Sequence, residues 1–238
     1  MNNRRYDVLL CDADETLFDF LQAEANAFAI ACEAAGFSST PELLALYSEI
    51  NDALWKLLEK GGITQAELRV RRFEQFLQAA GRGGDPAEIA EVYASALSEQ
   101  AIALDGAVEA VERWSRVLPV IIVTNGISSI QRGRMARSPI REHIAGMIVS
   151  EEVGAAKPDP RMLMLAMAQA GVTDTSRALV LGDSLSSDMQ GAANAGIDAC
   201  WFNPRGVKNT RGVPIRYEIR SLGEVDDILL GKWEEAKG

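Results

Sequence analysis

Five short apolar runs recur along this chain and limit the folds that it can adopt. Each run is followed by a polar or glycine-containing turn, as expected of strands that are buried on both faces. Several segments between the runs have the apolar spacing of helices, as in residues 106–117, 159–170 and 186–195. This alternation predicts an α/β fold with a doubly wound, parallel sheet and helices on both of its faces. The predicted strands are residues 6–11, 119–123, 146–149, 178–181 and 197–202.

The stretch from residue 19 to residue 100 shows helical periodicity and no strand pattern. Thr40, Thr64 and Asp85 stand where helix N-caps are expected, and about four helices are therefore predicted there. Open α/β sheets bind ligands at the carboxyl ends of their strands, so an insert directly after the first strand is expected to be a helical cap over that edge. The predicted domains are an α/β core of residues 1–17 and 102–238 and a cap of residues 18–101.

The charge of the chain argues against a polyanionic partner. Its net charge is −10, and no run of basic residues is available to follow a phosphate backbone, so nucleic-acid binding is not expected. The hydrophobic fraction of 47% is that of an ordinary folded globular protein. A small phosphorylated substrate is compatible with this acidity if a metal ion or a few cationic side chains supply local positive charge.

The cysteines and the N-terminus favour a cytoplasmic location. Cys11, Cys32 and Cys200 are far apart, and each lies in an apolar stretch, so buried reduced thiols are expected. The first six residues are mostly polar, and no stretch approaches the roughly 18 apolar residues of a membrane span. No contact with a membrane is expected. The sequence does not indicate the oligomeric state.

An acidic turn follows the first predicted strand. Asp12, Asp14 and Glu15 place three carboxylates within four residues, and a shared cation would relieve their repulsion. In an extended segment, residues two apart point the same way, so Asp12 and Asp14 can converge on one metal ion or one substrate. Mg²⁺ prefers such oxygen ligands and retains several waters. From these residues alone, a magnesium site and a solvated acidic turn both remain open.

This turn is the first of four ordered motifs that resemble those of the haloacid dehalogenase superfamily of phosphatases. Each motif stands at or shortly after the end of a predicted strand. The resemblance implies a Rossmann-like α/β core with an inserted helical cap, and magnesium-dependent chemistry on phosphate esters. The matching residues are Asp12-Ala13-Asp14-Glu15-Thr16, Thr124-Asn125-Gly126, Lys157-Pro158 and Gly182-Asp183 with Asp188.

The resemblance also implies what the acidic residues do. Asp12 would be the nucleophile that attacks phosphorus and forms an aspartyl-phosphate. Asp14 would protonate the leaving group and then activate water, a role that separates phosphatases from dehalogenases. Asp12, the backbone carbonyl of Asp14, and Asp183 would hold Mg²⁺, with Mn²⁺ as an alternative. Thr16 would brace the turn.

The other motif residues are expected to bind the phosphoryl group or to support those that do. The Thr124 hydroxyl and the backbone N–H groups of Asn125 and Gly126 would contact phosphoryl oxygens. Lys157 would balance the charge of the nucleophile and the phosphoryl group, held in place by Asp188.

Three of the motif residues also have ordinary structural interpretations. Thr124 stands where a strand-to-helix cap is common, and Asp183 stands where it can cap the helix near Ser186. A lysine before a proline, such as Lys157, is usually a surface loop residue.

The first motif is most similar to the pyrimidine 5′-nucleotidase branch of the superfamily. An alanine lies between its aspartates, and Glu15 stands where many relatives carry glycine; Trp55 and Arg72 are further points of similarity. A small phosphorylated metabolite, specifically a pyrimidine nucleoside 5′-monophosphate, is therefore the predicted substrate. Phe18, Phe20 and Trp55 either cover its base or belong to the core.

Other functions compatible with the motifs remain open. The protein can be a phosphoglycolate or sugar-phosphate phosphatase, or a phosphosugar mutase of the same superfamily, against which Glu15 argues. A catalytically silent sensor is disfavoured because Asp12, Asp14, Lys157 and Asp183 are all present.

Overall fold

A parallel six-stranded sheet is the centre of the structure, a computed structural model that describes residues 4–59 and 61–233. All five predicted strands are present, with ends that differ from the prediction by at most two residues, and a sixth follows them. The strands are β1 (Val8–Cys11), β2 (Val120–Thr124), β3 (Gly146–Val149), β4 (Ala178–Gly182), β5 (Asp198–Phe202) and β6 (Tyr217–Ile219). Their order across the sheet is β3-β2-β1-β4-β5-β6, and every pair is parallel.

Ten α-helices connect or follow these strands within the described residues, together with short 3₁₀ and π turns. They are α1 (Phe20–Ala34), α2 (Pro41–Glu59), α3 (Gln65–Ala80), α4 (Pro86–Glu99), α5 (Ala107–Ser115), α6 (Ser128–Arg137), α7 (Ser150–Val153), α8 (Arg161–Gln169), α9 (Gln190–Ala195) and α10 (Glu224–Leu229). No helix of the described residues is long and apolar enough to cross a membrane.

The apolar sequence of β1 follows from its burial on both faces. Leu9 and Cys11 belong to a core cluster that includes residues of α5 and α10, whereas Val8 and Leu10 belong to a second cluster with residues of α8 and α9. All four are at most 1% exposed. A strand between two helical layers has no solvent face, which confirms the predicted doubly wound sheet. The cysteines are buried free thiols, as expected.

The strand order determines which loops meet. The chain winds from β1 to β2 and β3 on one side and places β4, β5 and β6 on the other, so the loops after β1 and β4 diverge from neighbouring strands. Ligands bind at such switch points in open α/β sheets. Asp12 directly follows β1 and Asp183 directly follows β4, which brings two motifs that are distant in sequence to one edge.

The chain divides into two compact units, and the regular elements of the smaller unit are all helices in its described residues. Of the described residues, the larger unit contains 4–19, 102–128 and 135–233, and the smaller unit contains 20–59, 61–101 and 129–134. The predicted domain ranges include residues 1–3, 60 and 234–238, which lie outside the described residues.

Helices α2, α3 and α4 of the smaller unit begin directly after the N-cap residues that the sequence predicts. The Thr64 hydroxyl accepts a hydrogen bond from the Glu67 N–H, and the Glu67 carboxylate accepts one from the Thr64 N–H, which is a complete capping box before α3. The Asp85 carboxylate accepts from the Ala87 N–H before α4. The core of this unit contains a group of packed aromatic rings, Phe28, Tyr47, Phe73, Phe76 and Tyr93.

Candidate active site

The loop after β1 turns tightly and presents Asp12 at the carboxyl edge of the sheet. The Asp12 N–H donates to the Leu181 carbonyl on β4 over 2.9 Å, and the Glu15 N–H donates to the Phe18 carbonyl over 2.8 Å. Glu15 has a φ angle of 57°, in the left-handed region that residues with side chains rarely adopt. A glycine would suit this position. The backbone strain at Glu15 is therefore a feature of the turn that carries Asp12 and Asp14.

The ammonium group of Lys157 lies at the centre of the site. Its Nζ atom donates to Asp12 Oδ1 over 2.5 Å, to Asp188 Oδ1 over 2.6 Å and to the Val123 carbonyl over 2.6 Å. These three bonds use all of its donors. The side chain is 2% exposed, so the surface-loop interpretation of this lysine is wrong. Burial lowers the pKa of Lys157, but the two carboxylates outweigh burial and raise that pKa above its usual value.

The side-chain amide of Asn125 holds the backbone of Lys157 through two hydrogen bonds, one donated and one accepted. Asn125 Nδ2 donates to the Lys157 carbonyl over 2.8 Å, and the Lys157 N–H donates to Asn125 Oδ1 over 2.7 Å. The sequence prediction for Asn125 concerned its backbone N–H and did not include this use of its side chain. An asparagine directly after a buried strand was the available signal.

Asp188 folds back against the end of β4. Its Oδ1 accepts from Lys157, and its Oδ2 accepts from the Ser184 N–H over 3.0 Å. A Cβ atom on Gly182 would lie 2.4 Å from Asp188 Cγ, so a side chain at position 182 cannot coexist with Asp188 in this position. This contact explains the glycine of the closing motif.

Asp183 does not cap the following helix. The Ser184 hydroxyl accepts from the Ser187 N–H at the start of a π turn, Leu185–Met189, which precedes α9. The helix predicted over residues 186–195 is thus divided into a π turn and a short α-helix. The N-cap interpretation of Asp183 is wrong, because Ser184 performs that function and leaves the Asp183 carboxylate for another.

Three carboxylates converge at the edge of the sheet. One oxygen each of Asp12, Asp183 and Asp188 lies within 4.8 Å of the others. Burial, followed by the charge of Asp188, raises the pKa of Asp12 well above its usual value and raises the pKa of Asp183 to about 7. One ammonium faces three carboxylates, so the cluster carries excess negative charge. Its oxygen donors fit a hard divalent cation such as Mg²⁺.

The predicted phosphate-binding residues lie together after β2. Thr124 is buried, and its Oγ1 accepts from the Gly126 N–H over 3.2 Å, which leaves the hydroxyl hydrogen for another acceptor. The N-cap of α6 is Ile127, so Thr124 does not cap that helix. Thr16 is fully buried, and its hydroxyl has no hydrogen-bond partner among the described residues, so its role in bracing the turn stays a prediction.

The aromatic and arginine residues noted in the sequence have different surroundings. Phe18 is 1% exposed in the core of the larger unit, so it cannot cover a base. Arg72 is buried within the smaller unit, where its guanidinium lies 4.5 Å from the centroid of the Tyr93 ring. Trp55 packs against an apolar cluster of the same unit and is partly buried, as is Phe20.

Comparison with known proteins identifies the family. The haloacid dehalogenase-like hydrolase family matches residues 6–196, which make up most of the chain and include all of the motif residues. The chain belongs to this family. The resemblance predicted from the four motifs and the prediction of a hydrolytic enzyme are therefore confirmed.

Individual members of this family match almost the full length of the chain. YfnB of Bacillus subtilis (strain 168), named as a HAD-hydrolase, is 33% identical over 226 residues, which are 95% of this chain and 96% of YfnB. YjjG of Escherichia coli (strain K12), named as a pyrimidine 5′-nucleotidase, is 32% identical over 230 residues, or 94% of this chain and 98% of YjjG. PynA of Streptococcus pneumoniae (strain ATCC BAA-255 / R6) carries the same name and is 33% identical over 225 residues, or 94% of this chain and 95% of PynA.

A crystal structure of YfnB supports the fold. That structure, described as bound to magnesium, has a TM-score of 0.88 and 33% identity, and the match covers 95% of this chain and 99% of YfnB. The α/β fold of the family is thus shared by this chain.

We predict that Gly182→Ala lowers both stability and turnover, because the added methyl group must displace Asp188 from Lys157. The melting temperature and the kcat for a phosphate ester are to be measured, and a decrease in kcat of about tenfold or more is expected. Gly191→Ala is the matched control, since a Cβ atom there meets its nearest neighbour at 3.5 Å, an ordinary contact. Equal behaviour of the two variants would contradict the role given to the Gly182 contact.

Proposed function

We propose that this protein is a magnesium-dependent phosphomonoesterase that acts through an aspartyl-phosphate on Asp12. The observation that carries the proposal is the pair of hydrogen bonds from the buried Lys157 ammonium to Asp12 and Asp188. They fix one carboxylate at the carboxyl edge of the sheet, where it retains 12% exposure, and place a permanent positive charge beside it. A partly exposed nucleophile with a fixed countercharge suits attack on an anionic ester.

The charge balance of the site supports a divalent cation. Asp12, Asp183 and the backbone carbonyl of Asp14 would hold Mg²⁺, while Asp188 already uses both of its oxygens on Lys157 and Ser184. When bound, the cation would neutralise charge on the carboxylates and on the phosphoryl group. The description of YfnB as magnesium-bound agrees with this assignment. Mn²⁺ accepts similar oxygen ligands and is the proposed alternative.

In the first step, a carboxylate oxygen of Asp12 attacks phosphorus. The bond between phosphorus and the ester oxygen breaks, its electron pair stays on that oxygen, and Asp14 supplies the proton that converts it to an alcohol. Lys157 contacts Oδ1 of Asp12, so we assign the attack to Oδ2. The Thr124 hydroxyl and the Asn125 N–H donate to phosphoryl oxygens, whereas the Gly126 N–H already donates to Thr124 Oγ1 and supports the turn.

In the second step, water hydrolyses the aspartyl-phosphate. Asp14, now a carboxylate, takes a proton from the water as it attacks phosphorus. The bond between phosphorus and Asp12 breaks, its electron pair returns to the Asp12 carboxylate, and inorganic phosphate leaves. Both aspartates are then in their starting states.

The proposed substrate is a pyrimidine nucleoside 5′-monophosphate. Two relatives that match 94% of this chain, YjjG and PynA, are named as pyrimidine 5′-nucleotidases. We propose that residues 18–101 form a cap that selects the leaving group. Of the three aromatic residues that the sequence suggested for contact with the base, Phe18 is in the core, and Phe20 and Trp55 are only partly buried.

We predict that Asp12→Asn lowers kcat by about 10³-fold or more, because an amide is a poor nucleophile of nearly the same shape. Initial rates at saturating Mg²⁺ and circular dichroism of the same samples test this. Asp226→Asn, which changes a surface aspartate bound to Arg113, is the matched control and should retain full activity. A folded Asp12→Asn protein with wild-type turnover would exclude the covalent mechanism.

We predict that pyrimidine nucleoside 5′-monophosphates are the preferred substrates. The kcat/KM values for UMP, dUMP, dTMP, AMP, phosphoglycolate and glucose phosphates at saturating Mg²⁺ are to be compared. A tenfold preference for a non-nucleotide, about 1.4 kcal/mol of transition-state binding, would refute the nucleotidase assignment and leave the phosphatase assignment intact. Steady phosphate release without a bisphosphate activator would separate hydrolysis from a mutase reaction.

A further inference from the structure

We infer that Trp201 is a positioning residue that holds Asp183 in place for the divalent cation. The inference rests on the proposed function, because it takes Asp183 to be a cation ligand. It goes beyond the motif residues, since Trp201 lies on a different strand and belongs to none of the four motifs.

A single hydrogen bond joins the side chain of Trp201 on β5 to the backbone of Asp183, the residue that follows β4. Trp201 Nε1 donates to the Asp183 carbonyl over 2.8 Å, although the two residues are 18 positions apart. Trp201 is 2% exposed on β5, where it is in register with Gly182, the last residue of β4. The indole therefore extends past the end of β4 and binds the first residue of the loop.

Repulsion from neighbouring carboxylates would move the Asp183 carboxylate unless the backbone of Asp183 is held in place. It lies within 4.8 Å of carboxylate oxygens of Asp12 and Asp188, and like charges at that distance repel. Ser184 caps the π turn, so Asp183 gains no fixed position from capping. Trp201 is part of β5, so its hydrogen bond restrains the backbone of Asp183. Residues that hydrogen-bond to metal ligands usually hold those ligands in position in this way.

Trp201 also forms one wall of a cavity beside the cluster. The cavity has a volume of about 130 Å³, and its lining includes Glu15, Asp183, Trp201 and Arg205. At roughly 30 Å³ for each water, it has room for several waters. Mg²⁺ retains several waters when only a few protein ligands bind it, so this space suits the open side of the proposed site.

A second buried tryptophan offers a matched control in the same unit. Trp114 on α5 is fully buried, but its Nε1 has no hydrogen-bond partner among the described residues. Replacing either tryptophan by phenylalanine substitutes a smaller ring for a buried indole, so the loss of packing is similar at the two positions. Only the change at position 201 also removes a bond to Asp183.

The test measures Mg²⁺ affinity without turnover. Chelator-treated wild type, Trp201→Phe and Trp114→Phe are titrated with MgCl₂ in a calorimeter at constant temperature, and the binding curve gives the midpoint. The melting temperature of each metal-free protein is measured separately. We expect Trp201→Phe to weaken the midpoint by about tenfold, the usual effect of losing a group behind a metal ligand. Trp114→Phe is expected to lower the melting temperature in chelator and to leave the midpoint within about twofold of wild type.

A kinetic measurement separates positioning from general damage. With p-nitrophenyl phosphate as substrate, Trp201→Phe should need about tenfold more Mg²⁺ for half-maximal rate and should keep its KM at saturating Mg²⁺. If Trp201→Phe does not fold, the isostere with a benzothiophene ring at position 201 removes the N–H and preserves the shape. The same tenfold weakening is expected of it.

The outcomes distinguish this inference from the proposed function. A wild-type midpoint in a folded protein without the Trp201 N–H would overturn the inference and leave the proposed function standing. Equal weakening by Trp114→Phe would also overturn it. Failure of Mg²⁺ to bind the wild type would instead refute the proposed cation site, and the inference with it.

Discussion

The buried ammonium of Lys157 is the interaction on which the rest of the site depends. An isolated charge at 2% exposure would be very costly, and only its bonds to Asp12, Asp188 and the Val123 carbonyl make it tolerable. Each partner is in turn held by the sheet. Asp12 follows β1, Val123 belongs to β2, and Asp188 folds against the glycine that ends β4. Three strands of the switch region thus contribute to the surroundings of one nitrogen atom.

The same arrangement leaves negative charge that the protein itself does not neutralise. Three carboxylates converge while one ammonium faces them, and the pKa of Asp183 is raised to about 7 by burial and by Asp188. A folded structure that crowds acids in this way stores repulsion that a cation relieves. The strained turn at Glu15 and the hydrogen bond from Trp201 to Asp183 restrain carboxylates that repulsion would otherwise move apart.

The sequence predicted the strands, the helices and the positions of the motifs better than it predicted the hydrogen bonds within the site. Strands buried on both faces and helix caps such as Thr64 have local signals, and the order of the motifs at strand ends brought Asp12 and Asp183 to one edge. The hydrogen bonds of Asn125 and Trp201 join residues 32 and 18 positions apart and have no local signature. The positions of the aromatic residues were ambiguous, because hydrophobic periodicity does not distinguish a core residue from one that lines a pocket. Phe18 is a core residue.

The carboxylate cluster is expected to take up a divalent cation that balances its charge. Calorimetric titration of chelator-treated protein with Mg²⁺ at pH 6, in two buffers of different ionisation enthalpy, counts the protons released. Because burial and the charge of Asp188 raise the pKa of Asp183 to about 7 in the metal-free protein, the proton bound there at pH 6 must leave when the cation binds. This role of the cluster predicts proton release at pH 6 that disappears at pH 9, and loss of binding in Asp183→Asn. Binding without proton release at pH 6, or binding unaffected by Asp183→Asn, would contradict it.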